Sequence, residues 1–170
     1  FTPTGTVNEV IIRNRDGVQK IMKYKAKVDA WATADAKKYK GGLAEAYYVM
    51  GNLFYFKKLR PEAVYAFAKA AELKPTNALY LNNLSSLIMD YNKYSDAVIL
   101  LKEVTRNFPN LSSSWGNLAL AQLKTGNYPA ADSAIRVARR LDPENGLFCY
   151  TDGKIKEKKG DKPGADKDFG

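Results

Sequence analysis

At 170 residues with 45% apolar side chains, the chain is long enough to bury one continuous core or one short array of stacked units. It has no histidine and a single cysteine, Cys149, which excludes imidazole catalysis, a cysteine–histidine metal site and an internal disulfide framework. The net charge of +9 is concentrated at the front, where residues 1–43 hold nine Lys/Arg against four Asp/Glu, a balance of +5.

Residues 1–17 contain "VNEVIIRNRDG", an apolar-rich run with an Asp-Gly turn, and are expected to form an irregular or short-strand N-terminal arm. The chain opens on Phe1 and stops at Gly170, which reads as a processed or excised piece of something longer. Residues 18–43 predict a packing helix. Ile21, Tyr24, Val28, Trp31 and Asp35 fall three and four apart, and "KGG" at 40–42 ends the pattern. Trp31 is expected to anchor this helix against the block that begins at residue 44. Its flanking Lys20, Lys23, Lys25 and Lys27 are read as a solvated face, with an acidic or nucleic-acid partner as the weaker reading. No apolar run reaches membrane-spanning length, so a soluble chain without a transmembrane or signal segment is expected.

From residue 44 onward the chain repeats. Pro75, Pro109 and Pro143 recur at intervals of 34 and close the blocks 44–77, 78–111 and 112–145; residues 146–170 begin a fourth. Each block reads as two helices, the first near 44–57, 78–91 and 112–125, the second near 61–73, 95–107 and 129–141. Pro61, Pro129 and Pro163 fall where a second helix begins, a position at which the missing N–H has no intrahelical partner. Within the blocks large and small side chains share phases: Tyr47, Leu81 and Trp115; Met50, Leu84 and Leu118; Gly51, Ser85 and Ala119; Ala63, Ala97 and Ala131; Phe67, Leu101 and Ile135; Ala70, Val104 and Ala138. Large residues set against alanines are what a packed helical hairpin requires. "GDKPGAD" at 160–166 echoes "GNYPAAD" at 126–132, although Asp152 stands where an apolar residue is expected, which casts doubt on the last block as a packing unit.

This pattern resembles the tetratricopeptide repeat, a 34-residue helix–turn–helix unit with large–small alternation and a closing proline. The resemblance covers 44–145 and runs on into 146–170 as a truncated fourth repeat or capping helix. It implies an all-α, right-handed superhelix of hairpins, an α-solenoid, with the first helices on the concave side. Gln122 and Lys156 depart from it, standing where the family usually has an aromatic. Pentatricopeptide repeats, which read RNA, typically run 35 residues, so the strict spacing of 34 and the nearly neutral repeats argue against that relation. Cys149 takes the phase of Tyr47 and Trp115 and is expected to be a buried, inert thiol.

Asn83 and Asn117 hold the same phase in successive blocks, in "NNL" and "GNL". Asn52 lies one turn along the equivalent helix face from Val49, which holds that phase in the first block. A carboxamide both donates and accepts, so a row of them matches the unpaired N–H and C=O groups of an extended peptide. The expectation is a groove lined by Tyr48, Asn52, Asn83 and Asn117, with Asn82 at its edge. The arrangement is similar to the asparagine ladder of the O-linked N-acetylglucosamine transferase superhelix. The carboxylate clamp of chaperone-binding repeats also uses the phases of Asn52 and Asn83. Its cationic phases are filled here by Tyr48, Ser113 and Asn117, so capture of a free C-terminal carboxylate is not expected.

The sequence therefore reads as a non-catalytic interaction scaffold that binds a protein or peptide partner in its groove, with no cofactor or metal site. The alternatives are a structural or assembly subunit, a regulatory segment of a larger and potentially enzymatic protein and, more weakly, nucleic-acid binding through the basic start. Partner identity, compartment and oligomeric state have no signature in the sequence.

Overall fold

The computed structural model describes residues 6–160, and among them all regular structure is helical. Helices α1 (Val7–Gln19), α2 (Lys25–Asp35), α3 (Gly42–Phe56), α4 (Arg60–Leu73) and α5 (Ala78–Met89) belong to one compact unit, which ends at Tyr91. Helices α6 (Tyr94–Asn107), α7 (Ser112–Lys124), α8 (Tyr128–Leu141) and α9 (Gly146–Lys158) belong to a second, which begins at Asn92. In the first unit α4 packs against α3, α1 and α5; in the second, α7 packs against α8, α6 and α9.

The front of the chain differs from expectation in two places. The stretch read as an irregular arm or short strand is helix α1, apart from residues 1–5, which lie outside the described residues. Thr6 caps it by accepting the Glu9 N–H at 3.2 Å, and Val10, Ile11, Asn14 and Val18 are buried at helical spacing. The helix expected over 18–40 is broken between Gln19 and Lys25, and a 3-10 turn at Ala36–Lys38 follows α2. The break is stabilised from a distance. Glu62, fully buried in the first turn of α4, accepts the Lys23 N–H at 2.6 Å and the Tyr24 N–H at 3.2 Å. Ile21 is consequently 63% exposed, and only Val28 and Ala32 of α2 are buried. Trp31 is 42% exposed, its ring 5.9 Å from Tyr24, and it borders a hollow with Met50, Leu53 and Phe54 of α3.

The shared phases form the interior. Leu84, Leu101 and Ile135 are fully buried, each stabilising the fold by about 1.5–3 kcal/mol, and Ala63, Ala97 and Ala131 are fully buried too. Pro61 and Pro129 sit in the first turns of α4 and α8. Trp115 is half-buried and donates its indole N–H to the Pro109 carbonyl at 2.8 Å, which ties the turn before α7 to the helix itself.

The period also appears in the backbone. Lys58, Asn92, Gly126 and Gly160, each 34 residues from the next, adopt φ values of 63°, 60°, 83° and 84°. Each follows the first helix of a block and reverses the chain. The Leu59 N–H bonds back to the Phe54 carbonyl and the Asn127 N–H to the Gln122 carbonyl, both at 2.9 Å.

The last block packs better than its sequence suggests. Phe148, Thr151 and Ile155 of α9 are buried, and Asp152, 3% exposed, is held by Arg139 and by Lys156 at 3.5 Å. The apolar residue missing at that phase is replaced by an ion-paired one. Cys149 is half-buried, not fully enclosed, because α9 turns the Phe148 side of its first turn inward. Gln122 is buried, with its Oε1 lacking a hydrogen bond among the described residues.

Two substitutions test this packing. Lys58→Gly relieves a left-handed lysine and should stabilise the protein by about 1 kcal/mol in chemical denaturation. Gly116→Ala drives a Cβ into the Phe148 ring at Cε1. It should destabilise by about 1 kcal/mol net, since overpacking outweighs the gain in helix propensity, and the loss should shrink in a Phe148→Leu background.

Candidate functional site

Most of α5 is buried, and one stripe of it reaches the surface: Leu79, Asn83 and Ser86, continued by Asp90 at its C-cap. On α3 the corresponding outward row is Tyr48, Asn52 and Tyr55. Asn77 sets the start of α5 by accepting the Tyr80 N–H at 3.1 Å. The two rows border one hollow of about 240 Å³, lined by Asn52, Tyr55, Asn83, Ser86 and Asp90, with the nearly buried Phe67 at its base.

Aromatic packing holds this surface in place. The Tyr48 ring lies 5.7 Å from Phe67 and 4.9 Å from Tyr80, tilted by 45° and 35°. Its hydroxyl oxygen accepts the Asn83 amide Nδ2–H at 3.3 Å, which orients that carboxamide. Phe67 can reach the surface of α3 because Gly51 has no side chain; a Cβ there would lie 2.6 Å from the ring. Arg60 pairs with Asp90 at 3.5 Å on the rim. Burial pushes the Tyr80 phenol up, with smaller contributions from Glu45 and Tyr48.

The structure thus brings Asn52 and Asn83 to one hollow, with Tyr48 bonded to Asn83. Asn82 is not at an edge. It is only 9% exposed, because one residue along a helix is a rotation of about 100° and carries its amide from the open stripe into the packed side. Asn117 is half-buried on α7 of the second unit. The sequence reading missed Tyr55, Ser86 and Asp90, all reachable by stepping three or four residues along the faces of Asn52 and Asn83.

No family model matches the chain. A curated relative, the small glutamine-rich tetratricopeptide repeat-containing protein 2 of Mycosarcoma maydis, is 26% identical over 102 residues, covering 60% of this chain. The chain spans only 29% of that relative's length. Among solved structures, MamA (41-end) from Desulfovibrio magneticus RS-1 superposes with a TM-score of 0.73 at 19% identity, covering 97% of this chain and 92% of that one. The first tetratricopeptide domain of Spaghetti (RPAP3), bound to the HSP90 peptide SRMEEVD, gives a TM-score of 0.65 at 16% identity, covering 69% and 93%. The chain has the tetratricopeptide-repeat fold.

Outside the repeats, α1 and α2 are held onto them by polar contacts. Arg15 pairs with Glu72 at 2.6 Å, and Asp29 of α2 accepts the Tyr47 hydroxyl and, at 2.9 Å, the Tyr65 hydroxyl. Burial first and the Asp29 carboxylate second push both phenols well above their ordinary value. The proton is therefore bound more tightly in the folded state. The stabilisation is complete below the ordinary phenol pKa of 10.0 and is lost progressively as pH rises above it. Unfolding free energy should fall between about pH 10 and 12, and the Tyr47→Phe/Tyr65→Phe double variant should show a shallower fall in urea titrations.

Proposed function

We propose that the chain is a non-catalytic interaction module that holds an extended peptide of a partner protein along the outward faces of α3 and α5. The observation that carries this reading is the convergence of the Asn52 and Asn83 carboxamides, from two helices, on one aromatic-based hollow. A carboxamide bonds peptide N–H and C=O groups whatever the side chains, so the site reads main chain more than sequence. Asn83 is already oriented by Tyr48, which lowers the entropy lost on binding. The Spaghetti domain, whose structure holds a bound peptide, supports peptide capture as a use of this fold. Tyr48 stands at a cationic phase of the carboxylate clamp, so amidating the peptide's C-terminus should leave affinity unchanged.

The test is a pull-down from the native source, followed by anisotropy titrations with peptides from the captured protein. Asn52→Ala/Asn83→Ala should retain full helicity and bind about 30-fold more weakly, two hydrogen bonds of about 1 kcal/mol each. Wild-type affinity in that variant removes the amide hollow from the account.

A further inference from the structure

The second unit contains a hollow of a different chemistry. It measures about 470 Å³ and lies between α7 and α9. Leu120 and Leu123 of α7 face Leu147 and Tyr150 of α9 across it, and Leu147 and Tyr150 are 64% and 53% exposed. Burying side chains this apolar and this open is the favourable event the surface offers.

The rim of the hollow is cationic. Lys124 closes α7, and Lys154 and Lys158 stand on the same stripe of α9 as Leu147 and Tyr150. Among the described residues, its lining includes no aspartate or glutamate. The buried acids of this unit are engaged elsewhere: Asp132 by Arg136 and Lys159, Asp152 by Arg139 and Lys156. Glu157 lies 3.8 Å from the Lys154 ammonium, but both side chains are more than 40% exposed, so water weakens that pair. The Lys154 ammonium also sits 5.6 Å above the Tyr150 ring, which holds a positive charge at the mouth of the apolar space.

We propose that this hollow docks an acidic segment of a partner protein, with a bulky aliphatic or aromatic side chain filling the apolar floor and carboxylates meeting Lys124, Lys154 and Lys158. Charge complementarity selects the occupant. An apolar peptide would partly desolvate the Lys124 and Lys158 ammonium groups with nothing to compensate them, and a basic one is repelled. The floor requires an aliphatic or aromatic anchor at its centre, as interface hot spots do, with the charges ringed around it. The amide hollow of the first unit carries Asp90 on its rim, paired with Arg60, so the two sites select different chemistry.

The test uses the full chain and a fluorescein-labelled, end-capped peptide of glutamates around two leucines, beside a version with glutamine for every glutamate. Anisotropy is read at low and at physiological ionic strength. The glutamate peptide should bind, weaken with salt, and exceed the glutamine peptide by about tenfold. K124E/K158E, at two exposed positions, should lose about tenfold for the glutamate peptide while keeping its helical circular dichroism. L147S should weaken both peptides, and N52A/N83A should change neither. Equal binding of the two peptides, or no effect of K124E/K158E, overturns the proposal. Tighter binding to phosphatidylglycerol vesicles or to a single-stranded oligonucleotide overturns it in favour of those ligands. Loss of binding in N52A/N83A overturns it too, and assigns the peptide to the amide hollow instead.

Discussion

A phenyl ring laid against a glycine sets how closely the helices of each unit approach. Phe67 occupies the space a Cβ on Gly51 would need, and Phe148 does the same at Gly116. Interiors at crystal-like density leave no slack for a methyl group at such points, so the choice of glycine on one helix and phenylalanine on the next fixes their separation. The consequences reach the surface. Phe67 lies under the first-unit hollow and steadies the Tyr48 ring, which in turn bonds Asn83. The candidate surface is therefore the outer layer of a packing decision made inside.

Most of the repeat architecture is legible because its signals are local. Prolines at a fixed interval, small residues at one phase and large ones at another are each properties of a few neighbouring residues. They specify hairpins whose cores are built from those same positions, such as Leu84 and Ile135. The segment before the repeats is not legible for the opposite reason. The break between α1 and α2 depends on Glu62, some forty residues downstream, which in the sequence looks like an ordinary acidic side chain in the first turn of a helix. Asp29 is equally silent in the sequence, yet it joins α2 to tyrosines on two other helices.

The site is legible to within one residue of helical rotation. Repeat phase picks out Asn52 and Asn83, and they do border the same hollow, whereas Asn82, adjacent to Asn83, is turned into the packed side of α5. Sequence phase predicts the stripe but not its width, which depends on how many sides of the helix are covered. The lysine-rimmed hollow leaves no mark in the sequence because its cations and leucines come from separate helices and form no pattern along the chain. Asp152 shows the same limit from the other direction. A charge at an apolar phase looks like a flaw, and its partners Arg139 and Lys156 make it part of the packing.

The two tryptophans are placed so that each compact unit contains one of them, Trp31 over α3 in the first and Trp115 at the turn before α7 in the second. Trp31 is 42% exposed, while the Trp115 indole is tethered to a carbonyl. Intrinsic indole emission from this molecule therefore arises from one tryptophan in each half of the chain. The molecule thus carries its own spectroscopic labels for asking whether its halves melt together.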